Sequence, residues 1–150
     1  MKTIKTLSII LALVMISVFS NAQFHIGGEA GFSTKNAIVG GFSVGYDFKS
    51  VNIEAGVLSH LSMAVDKPTI FNVKLGHSFL IRDETILQPS IGYAYHLRSN
   101  DMKSLNTHAV IYSLYYIKGW KYQADWFVGL NYTERILMGS IGIRLNLGRQ

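Results

Sequence analysis

The feature that most constrains this chain is a two-residue alternation that recurs from Phe24 to Leu147. A period of two puts successive side chains on opposite faces of an extended strand. In Thr85–Leu97, one face carries Leu87, Pro89, Ile91, Tyr93, Tyr95 and Leu97, and the other Gln88, Ser90, Gly92, Ala94 and His96. In Arg135–Leu147, Leu137, Ile141, Ile143, Leu145 and Leu147 oppose Ser140, Gly142, Arg144 and Asn146. In Ala37–Phe48, Ile38, Phe42, Val44, Tyr46 and Phe48 oppose Gly41, Ser43, Gly45 and Asp47.

Read in this way, the chain holds eight strands: Phe24–Phe32, Ala37–Phe48, Val51–Leu61, Thr69–Ile81, Thr85–Leu97, Thr107–Lys118, Tyr122–Tyr132 and Arg135–Leu147. No sustained i, i+3, i+4 spacing follows residue 22, and the glycines oppose a helix there. A soluble sandwich would dress its outer face in Lys, Glu and Thr. Here the more polar face is mostly Gly, Ala and Ser, which suits the crowded inside of a small barrel. The apolar face then points to lipid, and a closed barrel is the β structure that a bilayer tolerates. The expected fold is all-β, an eight-stranded antiparallel up-and-down transmembrane barrel. Strands six and seven carry large residues on both faces, as with Ile111, Tyr115, Ile117 and Phe127. A bulge, or side chains plugging the lumen, would account for them.

Connections alternate in length. Lys49-Ser50, Arg82-Asp83-Glu84 and Gly119–Lys121 are short, whereas Ser62–Pro68 and Ser99–Asn106 are longer and polar. Short periplasmic turns and longer outer loops are the habit of outer-membrane barrels. Aromatic girdles are expected near the two rims: Tyr46, Phe48, Phe79 and Trp120 on the periplasmic side, and Phe71, Tyr95, Tyr112 and Tyr132 on the outer side. Trp126 falls in mid-strand and fits neither.

Residues 1–22 read as a secretory signal peptide. Lys2 and Lys5 precede the largely apolar stretch Leu7–Phe19, and Ser20-Asn21-Ala22 supplies small residues for cleavage after Ala22. The stretch is too short for a membrane helix. The barrel then occupies residues 23–150. The net charge of +5 falls to +3 without the two leader lysines, as twelve bases then face nine acids. Those bases form no cluster, so nucleic acid is not an expected partner. Zero cysteine excludes disulfides, thiolate zinc sites and cysteine nucleophiles.

With this pattern, length and leader, the chain resembles the small outer-membrane barrels of the OmpA/OmpX type. It is also similar to the short barrel proteins of Bacteroidetes, whose leaders often end like Asn21-Ala22-Gln23. The resemblance covers the whole of residues 23–150 and rests on no catalytic motif. It implies outer-membrane residence, contact with membrane lipid and lipopolysaccharide, assembly by the barrel-insertion machinery and a monomeric state. Such barrels usually end in an aromatic residue, whereas this chain ends Leu145-Asn146-Leu147-Gly148-Arg149-Gln150.

By parity Glu29, Glu54, Lys74, Asp125 and Arg144 face the lumen. Closure of the barrel brings Glu29 toward Arg144, and the third hairpin places Glu54 opposite Lys74. Enclosed charges are costly unless paired, so these five are expected to form a salt-bridged plug, with a polar pore or narrow channel as the rival. His60 and His96 face inward near the outer mouth and His108 begins the next strand. No H-x-x-x-H spacing supports a metal, and no cofactor is expected. His25 and His77 are read as interfacial. His60-Leu61-Ser62 resembles the His/Ser pair of lipid A deacylases, in which Ser attacks an acyl ester and His activates it. The orienting acid of that triad has no counterpart in Thr69–Lys74. The expected role is therefore structural or interactive and not enzymatic, with recognition carried by the two long loops. A soluble lipocalin-like binder is the remaining alternative.

Overall fold

The computed structural model describes residues 22–34, 37–61, 69–97, 107–119, 123–134 and 136–147. These form β1 (Ala22–Ser33), β2 (Ala37–Phe48), β3 (Val51–His60), β4 (Thr69–His77), β5 (Phe79–Arg82), β6 (Thr85–Leu97), β7 (Thr107–Gly119), β8 (Ala124–Thr133) and β9 (Ile136–Leu147). Neighbours along the chain pair antiparallel except β4 with β5, and two further pairings, β1 with β9 and β4 with β6, close the ring. β4 and β5 together make one stave, so the wall is a closed barrel of eight. The leader, Ser62–Pro68, Ser99–Asn106 and Trp120 lie outside the described residues. The barrel has a turn end, where Lys49-Ser50 and Asp83-Glu84 sit, and a loop end, where the two long connections leave the wall.

Alternation located most strand bounds to within a residue or two, and those of β2 and β6 outright. The fourth strand is the exception, being broken at Ser78. There β3 runs out as a neighbour: its pairing with β4 ends at Val51↔His77, and the Ser78 amide donates instead to Ser50 O at 2.7 Å. Beyond the break β5 is held by β6 alone, with a register shift between Leu80 and Arg82, and all four of its residues are exposed. A ladder cannot continue on one side without a partner, so the stave bends as it leaves the ring. Lys49, Glu84 and Gln123, one in each turn-end connection, have φ of 54°, 60° and 62°. That left-handed geometry matches a tight reversal to the twist of the strands.

The large residues of β7 and β8 plug the lumen, and no bulge is needed. Ile111, Ser113, Tyr115 and Ile117 point inward in unbroken register with β6 and β8. Space for them comes from glycine on the adjacent stave. Tyr115 lies opposite Gly129, Phe127 opposite Gly142 and His25 opposite Gly45. A Cβ on Gly129 would meet Tyr115 Cδ1 at 2.3 Å, and one on Gly142 would meet Phe127 Cζ at 2.3 Å. Each bulky side chain lies flat across the gap left by a missing one.

The interior is layered. Near the loop end Val39, Leu58, Ile70, Ala94, Ile111, Ile136 and Met138 form a buried apolar layer drawn from six staves. Toward the turn end the lumen is polar, with Tyr115, Ile117 and Phe127 as an apolar island against Ile86. The outer wall is the reverse. Among the described residues, outward positions of β1–β4 and β6–β9 carry no Asp, Glu or Arg, and one lysine, Lys118, at the turn end of β7. Trp126 also sits at the turn end, because β8 starts at Ala124 and not at Tyr122; it packs on Tyr116 with centroids 6.1 Å apart. It therefore belongs with Tyr46 and Phe48 in one aromatic rim.

Filling a glycine gap should cost far more than filling open wall. Gly129→Ala is expected to lower unfolding stability in micelles by about 1–3 kcal/mol, the usual range for overpacking. Gly28→Ala has no atom within 4 Å of the new Cβ and should stay within about 0.5 kcal/mol. Urea midpoints of the two variants check this.

Candidate functional site

The polar part of the lumen is one connected set of side chains. Glu54 on β3 and Lys74 on β4 are direct cross-strand partners, and Lys74 Nζ lies 2.6 Å from Glu54 Oε1. Lys74 also donates to Tyr115 Oη at 2.7 Å, across the barrel from its own stave. Tyr115 in turn donates to Asn131 Oδ1 at 2.9 Å, an atom that also accepts from Ser113 Oγ at 2.6 Å. Lys74 is only 2% exposed. A buried ammonium is tolerable only when its donors are taken up, and here a carboxylate and a phenol take up two of them.

On the other side of Glu54 stands His25, which has no exposed surface. Its Nε2 is 3.7 Å from Glu54 Oε2 and its Nδ1 is 3.2 Å from Asp47 Oδ2. Asp47 accepts from Asn52 Nδ2 at 2.6 Å and lies 3.7 Å from Arg144 Nη1. Arg144 Nη2 reaches Asp125 Oδ2 at 3.3 Å, and Asn146 Nδ2 donates to the same oxygen at 2.7 Å. Gln88 ties the two halves together, donating to Asn52 Oδ1 at 3.0 Å while its own oxygen lies 3.5 Å from Arg144 Nη1. The set runs without interruption from Asn131 beneath the apolar layer to Asp125 at the turn end.

Four of the five lumen charges singled out from the sequence lie in this set. Glu29 stands apart from Arg144, contrary to the pairing expected from closure. The β1–β9 register puts Arg144 opposite Gly27 and Glu29 opposite Gly142, so the two side chains start at different heights. Glu29 instead accepts from Ser140 Oγ at 2.5 Å, toward the loop end, while Arg144 turns to Asp125 and Asp47. Parity identified the face but not the stagger between staves. For the same reason His25 and Asp47 were undervalued: position near a strand end concealed that His25 folds inward over Gly45, where a Cβ would lie 2.2 Å from Nε2. The glycine directly opposite a lumen-facing histidine is the signal that could have found it.

The three imidazoles at the rim do not share a site. His60 and His96 point into the lumen and are buried, whereas His108 is exposed on the outer wall. His108 Nδ1 is hydrogen-bonded to Tyr93 Oη, and its ring lies 5.3 Å from that of Tyr95. It lies on the opposite face of the wall from the other two, although β6 and β7 are paired neighbours, and among the described residues no group of three His, Asp or Glu is placed to hold a metal ion. Ser62 lies outside the described residues. His77 is exposed beside Phe79, with ring centroids 4.6 Å apart.

Little room is left between these groups. The void bounded by Glu29, Ser43, Glu54, Gln88, Tyr115 and Arg144 measures about 10 Å³, space for roughly one water. The apolar layer stands between this void and the loop end.

No protein-family model and no curated protein matches the sequence. Solved structures do match the fold. The N-terminal β-barrel domain of Pseudomonas aeruginosa OprF superimposes with a TM-score of 0.71 at 13% identity, over 83% of this chain and 97% of that one. A de novo designed transmembrane β-barrel gives 0.63 at 13% identity, over 83% and 95%. The outer membrane enzyme PagL gives 0.60 at 9% identity, over 82% and 99%. The chain is similar in architecture to eight-stranded outer-membrane barrels that differ widely in sequence.

Removing both members of the central pair should cost less than the two single removals added together. Lys74→Met or Glu54→Gln alone leaves a buried charge without its partner, at about 3–5 kcal/mol. The double variant should be less destabilised than the sum of the singles, with a coupling of about 0.5–3 kcal/mol. A double-mutant cycle on micelle unfolding measures it; strictly additive costs would mean that the pair is not coupled.

Proposed function

We propose that this chain is a small integral protein of the bacterial outer membrane, exported by a leader cleaved after Ala22, with a side-chain-plugged lumen and a structural or surface-interaction role. The observation that carries the reading is the inversion of the two faces. A connected set of charged and amide side chains fills the inside, while the described wall of β1–β4 and β6–β9 is mostly Ile, Leu, Val, Phe and Tyr and carries one lysine, at its edge. Water rejects such a wall and a hydrocarbon core accepts it. Phe71, Tyr95, Tyr112 and Tyr132 toward the loop end, with Tyr46, Phe48 and Trp126 toward the turn end, lie where interfacial girdles are needed.

The partners that fit are membrane lipid, lipopolysaccharide in the outer leaflet and the insertion machinery during assembly, with the barrel itself monomeric. The leader ending Asn21-Ala22-Gln23 supports an origin among the Bacteroidetes. Recognition outside the cell falls to Ser62–Pro68 and Ser99–Asn106. The small central void and the apolar layer favour the plug over a channel. PagL is described as an enzyme, but a deacylase-like role here would need His60 on the lipid side of the wall, and His60 faces the lumen. His60→Ala is therefore expected to leave lipid A acylation unchanged.

Cell fractionation tests the location. The protein should remain in the outer-membrane pellet and run faster on a gel unheated than boiled; recovery in the periplasmic fraction would overturn the reading. In planar bilayers the wild-type barrel should give no unitary conductance, and steps that change with Glu54→Gln would favour the channel.

A further inference from the structure

The outer wall is not evenly convex. Across β9, β1, β2 and β3 it is hollowed into a groove of about 1330 Å³. Its floor is formed by Gly28 and Ala30 on β1 and Gly40 on β2, which register places side by side: Gly28 is opposite Phe42, and Ala30 is opposite Gly40. Nothing lies within 4 Å of a Cβ added at Gly28, so the floor is open there, whereas at Gly40 a Cβ would meet the Leu61 side chain at 2.9 Å. Ridges flank it. Phe42 is 72% exposed on one side and Ile141 is 61% exposed on the other. The groove runs obliquely from Ser59, close to the loop end of β3, to Trp126, close to the turn end of β8.

We infer that the loop-end half of this groove, from Ser59 to the Gly28 floor, is a binding site for the acyl chains of an outer-leaflet glycolipid of the lipid A class. The inference rests on the membrane placement proposed above and adds a site to it. Three observations select the occupant. First, every strand of this wall is hydrogen-bonded on both sides, so no partner strand can be added here. Second, the outward side chains of the groove include no charge. Ser59 is the one hydroxyl among them, with its Oγ 3.3 Å from Thr69 Oγ1 at the loop end. An apolar chain whose ester end points to the outer surface satisfies both ends. Third, shape disfavours a second barrel: a convex wall would rest on Phe42 and Ile141 and leave the glycine floor without contacts, forfeiting the dispersion energy of close packing. A flexible chain reaches the floor. At roughly 30 Å³ per water-sized group, even half of the volume takes about twenty methylenes, which is more than one chain and suits a lipid with many.

The test uses the full barrel inserted in phospholipid vesicles containing lipid A with photoactivatable diazirines on its acyl chains. Peptide mapping after irradiation should find labelling concentrated on β9 and β1–β3, several-fold above β6 and β7. Gly28→Leu, whose Cβ has no atom within 4 Å and whose side chain projects into the groove, should remove most of that excess while sparing the heat-dependent gel shift; Ala30→Leu serves as an independent second variant. Labelling spread evenly around the wall would overturn the inference, as would equal groove labelling by a diazirine phosphatidylethanolamine, or cross-linked dimers through β1. Should the wild-type barrel fail to insert and show no gel shift, the membrane placement itself falls. Normal insertion with even labelling fails the groove alone.

Discussion

A closed ring of eight staves encloses a lumen of nearly fixed width, and everything inside this barrel is arranged to fill it. Bulky residues cannot simply face one another across so narrow a space. The solution here pairs large with nothing: Tyr115 over Gly129, Phe127 over Gly142 and His25 over Gly45. Each ring lies along the wall and turns its polar or apolar end toward the axis. The glycines of β2, β8 and β9 are thus volume in negative, set by what the next stave carries.

That packing in turn places the charges. Tyr115 is held flat by Gly129 and thereby presents its hydroxyl to Lys74 and Asn131. Lys74 can remain buried because Glu54 faces it in register, and His25 bridges from Glu54 to Asp47 because Gly45 lets the ring inward. Replacing such a set by apolar residues is often neutral or stabilising, whereas breaking it is costly. Its worth lies in register: sliding β3 past β4 by two residues would separate Glu54 from Lys74, and sliding β8 past β9 would separate Asp125 from Arg144.

Alternation made the faces and most strand limits legible, because lumen and wall differ in chemistry at every second residue. The pairing of Glu54 with Lys74 was legible too, since a hairpin relates the two directly. What depends on stagger was not. Glu29 and Arg144 share a face and adjoining staves, yet meet Ser140 and Asp125 instead, because closure sets their relative height and no local pattern records it. The break at Ser78 arises where β3 ends as a neighbour, a fact about another strand. His108 was grouped with His60 and His96 by height alone, although parity puts it on the opposite side of the wall. The place of Trp126 is hidden from the pattern because strand eight begins two residues later than alternation implies.

The layer of Val39, Leu58, Ile70, Ala94, Ile111, Ile136 and Met138 makes distance and access disagree within the barrel. Tyr115, Ser113 and Asn131 lie just beneath it, closer to the loop end than any other part of the polar set. A hydrocarbon seal drawn from six staves stands between them and that end, so a deuteron or hydroxide reaches them by way of the turn end. Hydration history in this lumen runs backwards along its axis: the groups nearest the mouth are the last to learn that the solvent has changed.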